Sequence, residues 1–349
     1  MKRISSILLF SLVFLPACLI KPPEEEPDRW FTAFEEELVT PIRNIHASPT
    51  QMYAVSDDEF IRLDNNNQVV ERRQILLPRR FFGRPSLSDY VFVRVTRQEE
   101  TDQVIEFHLT RNAAARVDVT FSELIAEFGD ELFPEDNSRY SGAFNDSGTQ
   151  FLLPTLNFSK DVFSMILFDI ELNTTNTAFE SVKVNKVIPI DEMPNDPKSL
   201  SSIRYINGHF YLASLNGAFR VSPQGDYETI LQDWIVDFFT FDGKIFATGS
   251  GSDLQVSEDN GLTWERDNDT DDPTDLRFVE VTNEQVFTQN FIGFPFQLST
   301  ENLVDATTLK LNKDFPDDLA AYNNIRFFYD RYYLTVQKEL YYTLELFTE

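Results

Sequence analysis

One short pattern recurs along this chain and limits what it can fold into. An apolar run leads to a tight turn, an aromatic-rich run climbs away from it, and a third run follows. The clearest copies are residues 203–221, 236–257 and 325–336. Asn207-Gly208 and Asp242-Gly243 mark the turn in two of them, the pairing that a two-residue hairpin with positive φ prefers. Fainter copies begin near Ile45, Pro85, Ser141 and Arg277. Runs such as 90–95, 104–109, 165–170 and 209–213 are rich in β-branched and aromatic residues, which favours strand. One stretch, 122–129, reads instead as a short helix ending at a glycine.

With the aromatic of the second run as a register mark, the copies fall at Tyr53, Phe92, Phe151, Tyr211, Phe246, Phe287 and Tyr333. Four of the six intervals lie near the period of about 40–50 residues of a propeller blade. The intervals on either side of Phe151 are longer and predict insertions around residues 110–140 and 160–195. Extra loop in a repeat fold projects from one face, so these are the expected partner-contact surfaces. The pattern predicts an all-β chain, a β-propeller of seven four-stranded blades with one short insertion helix. Such packing buries both faces of each sheet. A strand near residues 30–38 is expected to close the ring on the last blade. A pair of β-sandwiches, or six blades in another register, fits the same runs.

The N-terminus carries different information. Lys2-Arg3 precedes the apolar run 7–15, which is shorter than the roughly 20 residues a membrane-spanning helix needs. It ends in Leu15-Pro16-Ala17-Cys18, and Cys18 is the only cysteine. This layout resembles a bacterial lipoprotein signal. The resemblance implies cleavage before Cys18 and acylation of Cys18 with palmitate-type chains, so that lipid attaches the protein to the membrane of the cell envelope. An ordinary cleaved signal, or an N-terminal membrane anchor, with a chance cysteine is the alternative. Residues 1–17 are then the signal, 18–29 a Pro- and Glu-rich tether held extended by prolines and like charge, and 30–349 a single propeller domain. The acidic run after Cys18 is similar to the surface-export signal of Bacteroidetes lipoproteins; the periplasmic and outward faces of the outer membrane both stay open.

The formal net charge is −27. Such a surface repels nucleic acid and anionic lipid, so no nucleic-acid partner is expected, while cationic ligands or Ca²⁺ are attracted. Residues 267–272, Asp-Asn-Asp-Thr-Asp-Asp, are dense in oxygen ligands but lack the spacing and central glycine of an EF-hand. They read as a solvated loop, and no metal or cofactor is assigned.

The sharpest local motif is Ser257-Glu258-Asp259-Asn260-Gly261-Leu262-Thr263-Trp264. Asp259 is placed to accept turn N–H groups. Gly261 permits the positive φ that closes the turn, and Thr263 opens the next strand. Trp264 offers a large ring to bury and an N–H that needs an acceptor. The motif resembles the Asp-box, or BNR repeat, of sialidase-like propellers. The resemblance implies that Ser257, Asp259, Gly261, Thr263 and Trp264 are structural and sit between the third and fourth strands of a blade. Partial echoes lie at 221–226 and 298–302.

A sialidase resemblance also raises glycoside hydrolysis of exported glycans. That chemistry needs arginines clasping a substrate carboxylate, an acid/base Asp and a Tyr–Glu nucleophile pair. Arg84, Arg204 and Arg326 are the nearest echoes, and no catalytic residue is assigned. His46, His108 and His209 are far apart in the chain and read as packing or surface residues. The expected function is a non-enzymatic binding or assembly scaffold for a protein, peptide or glycan. A sialidase-like glycoside hydrolase is the alternative.

Overall fold

A computed structural model describes residues 31–33, 40–75, 80–98, 102–134, 142–196, 200–249, 254–266, 277–289, 295–298, 303, 306–310, 322–336, 338–344 and 347–348. Cys18, the signal, the tether, the acidic run 267–272 and most of the echo at 298–302 lie outside the described residues.

The fold is an all-β β-propeller, with one helix among the described residues. Among the described residues the strands assort into seven antiparallel sheets. The first sheet holds Ile42–Ala47, Met52–Ser56, Glu59–Leu63 and Val69–Gln74. The second holds Arg80–Leu87, Val91–Gln98, Asp102–Leu109 and Arg116–Thr120. In the third, Leu132–Pro134 and Ala143–Phe144 share the innermost place beside Gln150–Asn157, followed by Val162–Leu172 and Phe179–Pro194. The fourth holds Leu200–Ile206, His209–Ser214, Gly217–Val221 and Tyr227–Leu231. The fifth holds Ile235–Phe241, Lys244–Gly249, Leu254–Ser257 and Glu265–Arg266. The sixth holds Arg277–Thr282, Gln285–Gln289, Pro295–Leu298 and Ala306–Lys310, with Phe347–Thr348 added at its edge. The seventh holds Tyr322–Phe328, Arg331–Val336 and Glu339–Thr343.

The first strand of each sheet lies beside the first strand of the next, and Tyr322–Phe328 returns to Ile42–Ala47. The sheets therefore circle a common axis. Phe31–Thr32 supplies the fourth strand of the seventh sheet, pairing antiparallel with Glu339–Thr343 so that Phe31 faces Tyr342. This is the closure expected from residues 30–38. Because strands step outward from the axis in antiparallel order, the first and third turns of every sheet share one end of the ring. The second turns and the links between sheets share the other.

All seven register aromatics lie on second strands and are buried. Five point to the following sheet: Tyr53 packs with Phe92, Tyr211 with Phe238, Phe246 with Val279, Phe287 with Tyr332, and Tyr333 with Ile42. Phe92 and Phe151 point to the preceding sheet instead. Strand side chains alternate between faces, so these two marks stand one residue out of step with the other five.

In their described residues the two long intervals form helix and strand. The helix Phe121–Phe128 follows Thr120, whose hydroxyl accepts from the Glu123 amide while the Glu123 carboxylate accepts from the Thr120 amide. That reciprocal capping box satisfies two otherwise orphaned helix donors. Gly129, at φ 73°, ends the helix. Phe121, Leu124 and the following Leu132 are fully buried with Val91, Val93 and Phe151. The helix thus wedges the second and third sheets together. The other long interval is consumed by lengthened strands, Val162–Leu172 and Phe179–Pro194, joined with three register shifts.

Candidate functional site

The innermost strands position the groups nearest the axis. Register shifts between Ile42 and Asn44, Leu200 and Ser202, Ile235 and Asp237, and Arg277 and Glu280 insert an extra residue near the start of each strand. A bulge re-aims the side chains that follow it. Beyond it, His46, Arg204 and Glu280 each sit opposite the register aromatic of their own sheet, and Arg326 does the same in the seventh.

Around one arc of the axis these residues neutralise one another. Arg204 Nε donates to Asp237 Oδ1 at 2.9 Å and Nη2 to Asp237 Oδ2 at 2.7 Å. Nη2 also reaches the Val279 carbonyl at 2.9 Å, while the Val279 amide donates back to Asp237 Oδ2 at 3.0 Å. Asp237 is fully buried. Glu280 Oε1 lies 3.7 Å from Arg204 Nη1, and Arg326 donates to the other Glu280 oxygen. Four sheets are tied together by two arginines and two carboxylates. The structure brings Arg204 and Arg326 together through Glu280, each already engaged by acid; the side chain of Arg84 lies outside the described residues.

Around the opposite arc lies an open cleft of about 420 Å³. The first strands of the first four sheets and the first turns of the second and third line it, through His46, Asp89, Phe144, Asp146, Arg204 and Tyr205 among others. His46 Nε2 pairs with Asp89 Oδ1 at 2.8 Å. That hydrogen bond holds the Asp89 carboxyl below its ordinary range against the opposing effect of burial. Burial, then the nearby Asp146 carboxylate, pushes the Tyr205 hydroxyl up. The cleft opens at the end of the ring that carries the first and third turns.

The turn at 257–264 stands at that same end, between the third and fourth strands of the fifth sheet. Asp259 Oδ1 accepts from Ser257 Oγ at 2.9 Å and from the Leu262 and Thr263 amides at 3.1 and 2.8 Å. Its Oδ2 accepts from Thr263 Oγ1 at 2.6 Å. The Thr263 hydroxyl and amide lead the groups that hold the Asp259 carboxyl at about 2. Ser257 Oγ accepts from the Gly261 amide at 2.8 Å, and Trp264 Nε1 donates to the Gly261 carbonyl at 3.2 Å. The Trp264 ring packs on Phe238 at 5.8 Å. Tyr211 of the fourth sheet donates to the Asn260 carbonyl at 2.8 Å, as does Arg220 at 2.6 Å. The motif therefore closes its own turn and pins its sheet to the neighbour.

Equivalent turns of other sheets use the same device with different residues. Asp64 accepts from the Asn66 and Gln68 amides, Asn173 from Thr177 and Ala178, and Ser222 from Gln224 and Asp226. The Ser222 turn is the echo marked at 221–226. The Asp64 and Asn173 turns were not picked out from sequence, although an Asx residue opening a polar turn was their signal.

A second charged cluster is sealed between the first and second sheets. Arg94, Glu106 and His108 are all buried. Arg94 donates to Glu106, Thr96 Oγ1 reaches Glu106 Oε1 at 3.1 Å, and Arg116 Nη2 lies 3.0 Å from the same oxygen. His108 Nε2 meets Glu106 Oε2 at 3.1 Å and its ring stacks on Phe92 at 4.6 Å. Burial pushes the Glu106 carboxyl up, but the His108 hydrogen bond and the two guanidinium groups outweigh it and hold the group at about 2. His46 and His108 thus have specific acidic partners. Among the described residues no three His, Cys, Asp or Glu side chains are grouped to hold a metal.

No family model and no curated protein matches the sequence. Solved structures do match in fold. YCF48 bound to D1 peptide aligns with a TM-score of 0.57 at 13% identity, covering 95% of this chain and 100% of that one. PorZ, a surface component of the type-IX secretion system of Porphyromonas gingivalis, aligns at 0.50 and 10% identity, covering 92% of this chain. A prolyl endopeptidase aligns at 0.50 and 11% identity over 86% of it. The chain spans 39% of the PorZ chain and 46% of the endopeptidase chain. The likeness is one of β-propeller fold.

Proposed function

We propose that this protein is a seven-bladed, lipid-anchored propeller that holds a protein or peptide partner in the bacterial cell envelope and performs no chemistry on it. The observation that carries this reading is the axis. Its arginines are engaged by Asp237 and Glu280, while the open cleft beside them presents turns and polar side chains on a rigid ring. Preformed clefts of this size on rigid scaffolds are common binding sites. The unbroken succession of first strands around the axis supports the count of seven blades. The self-closing turn at 257–264 supports a structural Asp-box of the sialidase-like type. The fold neighbours include a protein solved with a bound peptide and a component of a secretion system, which agrees with a role in holding partners.

Three measurements test the reading. Crosslinking of the tagged full chain in native membranes, followed by mass spectrometry, is expected to return one recurrent envelope partner. Release of aryl-glycoside or sialoside products by the purified chain would overturn the scaffold reading. For the anchor, Cys18→Ala is expected to abolish palmitate incorporation and to move the protein from the membrane fraction to the soluble one.

A further inference from the structure

The axial cleft also discriminates among ligands by what its polar groups have left to offer. Four of its side-chain donors, those of Asn44, Ser86, Ser88 and Arg204, are already committed, while the Tyr205 hydroxyl is not. Asn44 Nδ2 donates to the Pro85 carbonyl at 2.9 Å, Ser86 Oγ to the Gly142 carbonyl at 2.8 Å, and Ser88 Oγ to the Val91 carbonyl at 2.9 Å. Arg204 is spent on Asp237 and Val279. Two carboxylates keep acceptor capacity. Asp146 stands exposed in the first turn of the third sheet, and its carboxylate has no hydrogen-bond partner among the described residues. Asp89 uses Oδ1 on His46 and feels the nearby Arg111 charge, while its Oδ2 has no hydrogen-bond partner among the described residues. A carboxylate can only accept, so a complementary ligand must bring several donors and positive charge.

The remaining walls suit the stem of such a ligand. Phe144 and Tyr205 border the space on the side of Asp146. Long cationic side chains lay their methylenes on apolar surface and place the charged head at an acid. The net charge of −27 draws cations toward the ring from a distance.

We propose that the axial cleft seats a lysine or arginine side chain of the partner, its cationic head between Asp89 and Asp146 and its stem along Phe144 and Tyr205. The inference rests on the scaffold reading above and specifies what that scaffold recognises.

Isothermal titration of the full chain with N-acetylated, amidated Gly-Arg-Gly and Gly-Lys-Gly tests it, with Gly-norleucine-Gly and Gly-Glu-Gly as controls. The cationic peptides are expected to bind and the controls not. Asp146→Asn and Asp89→Asn are each expected to weaken binding about tenfold, in line with the loss of one charge-assisted hydrogen bond, and added salt is expected to weaken it further. Asp146→Asn keeps the test meaningful if Asp89→Asn disturbs the His46 pairing, because Asp146 holds no described partner. No heat from either cationic peptide, equal binding of the norleucine peptide, or affinity unmoved by both substitutions overturns the proposal. The crosslinking experiment, repeated with Asp146→Asn, separates this from the broader reading. A partner still captured at wild-type yield leaves the scaffold standing and removes the cleft from recognition.

Discussion

Single residues in this ring carry loads that reach past their own sheets. Gly261 sits at φ 79°, and a Cβ there would lie 2.6 Å from the Tyr211 hydroxyl that bonds the Asn260 carbonyl. Gly261→Ala therefore meets both backbone strain and a clash with the fourth sheet. We expect a loss of about 1–3 kcal/mol, read by urea denaturation. Glu106 makes a second case. Glu106→Gln keeps the shape but leaves the Arg94 charge buried without its counter-ion, and the expected loss is about 3 kcal/mol at neutral pH. The folded-state pKa of Glu106 is depressed to about 2. Its stabilising effect is therefore complete above the ordinary carboxylate range and fades as pH falls through about 2. The gap between wild type and Glu106→Gln should narrow between pH 5 and pH 2; a gap that widens on acidification contradicts the assignment. Charged residues at alternate positions in apolar strands, as in Val-Arg-Val and Ile-Glu-Phe-His, were visible in the sequence. That they meet across neighbouring strands was not, because register is a long-range property.

At the scale of elements, the segments read as insertions behave as packing. Leu124 is 1% exposed within the core between the second and third sheets. Leu124→Ala is expected to cost about 2–4 kcal/mol and Thr120→Ala about 1 kcal/mol through the lost cap, both measurable by thermal melting. A projecting loop would show neither. The helix itself was legible, since its period and terminal glycine are local signals. Its burial was not, because the surface it covers comes from strands far along the chain. The hairpin turns divide the same way. Asn207-Gly208 and Asp242-Gly243 adopt positive φ at both positions, as their chemistry dictates. Asn283-Glu284 and Tyr329-Asp330 do so as well, without a glycine. There the pairing of the flanking strands imposes a conformation that the turn residues do not announce.

At the scale of the whole molecule, the ring is closed by two residues from one end of the chain. Phe31 and Thr32 cover the edge of Glu339–Thr343, the Ala33 amide donates to the Leu340 carbonyl at 2.7 Å, and the Phe31 ring stacks on Tyr342 at 5.5 Å. A chain starting at residue 40 leaves that edge unpaired, and exposed strand edges invite pairing with other chains. At about 1 kcal/mol for each lost ladder hydrogen bond, we expect melting lowered by several degrees and concentration-dependent association in sedimentation. Unchanged melting in a monomeric product would show that closure contributes nothing.

The sequence by itself determined the strand-rich character, the repeated unit, the single helix and the self-contained turn at 257–264. Each is written in neighbouring residues whose turn chemistry and alternation act over a few positions. Only the tertiary structure decided which face each register aromatic meets, that Arg204 and Arg326 are bound by Asp237 and Glu280, and that His46, Asp89, Asp146 and Tyr205 share one cleft. Those groups come from four or more sheets, and only closure of the ring brings them to a common axis.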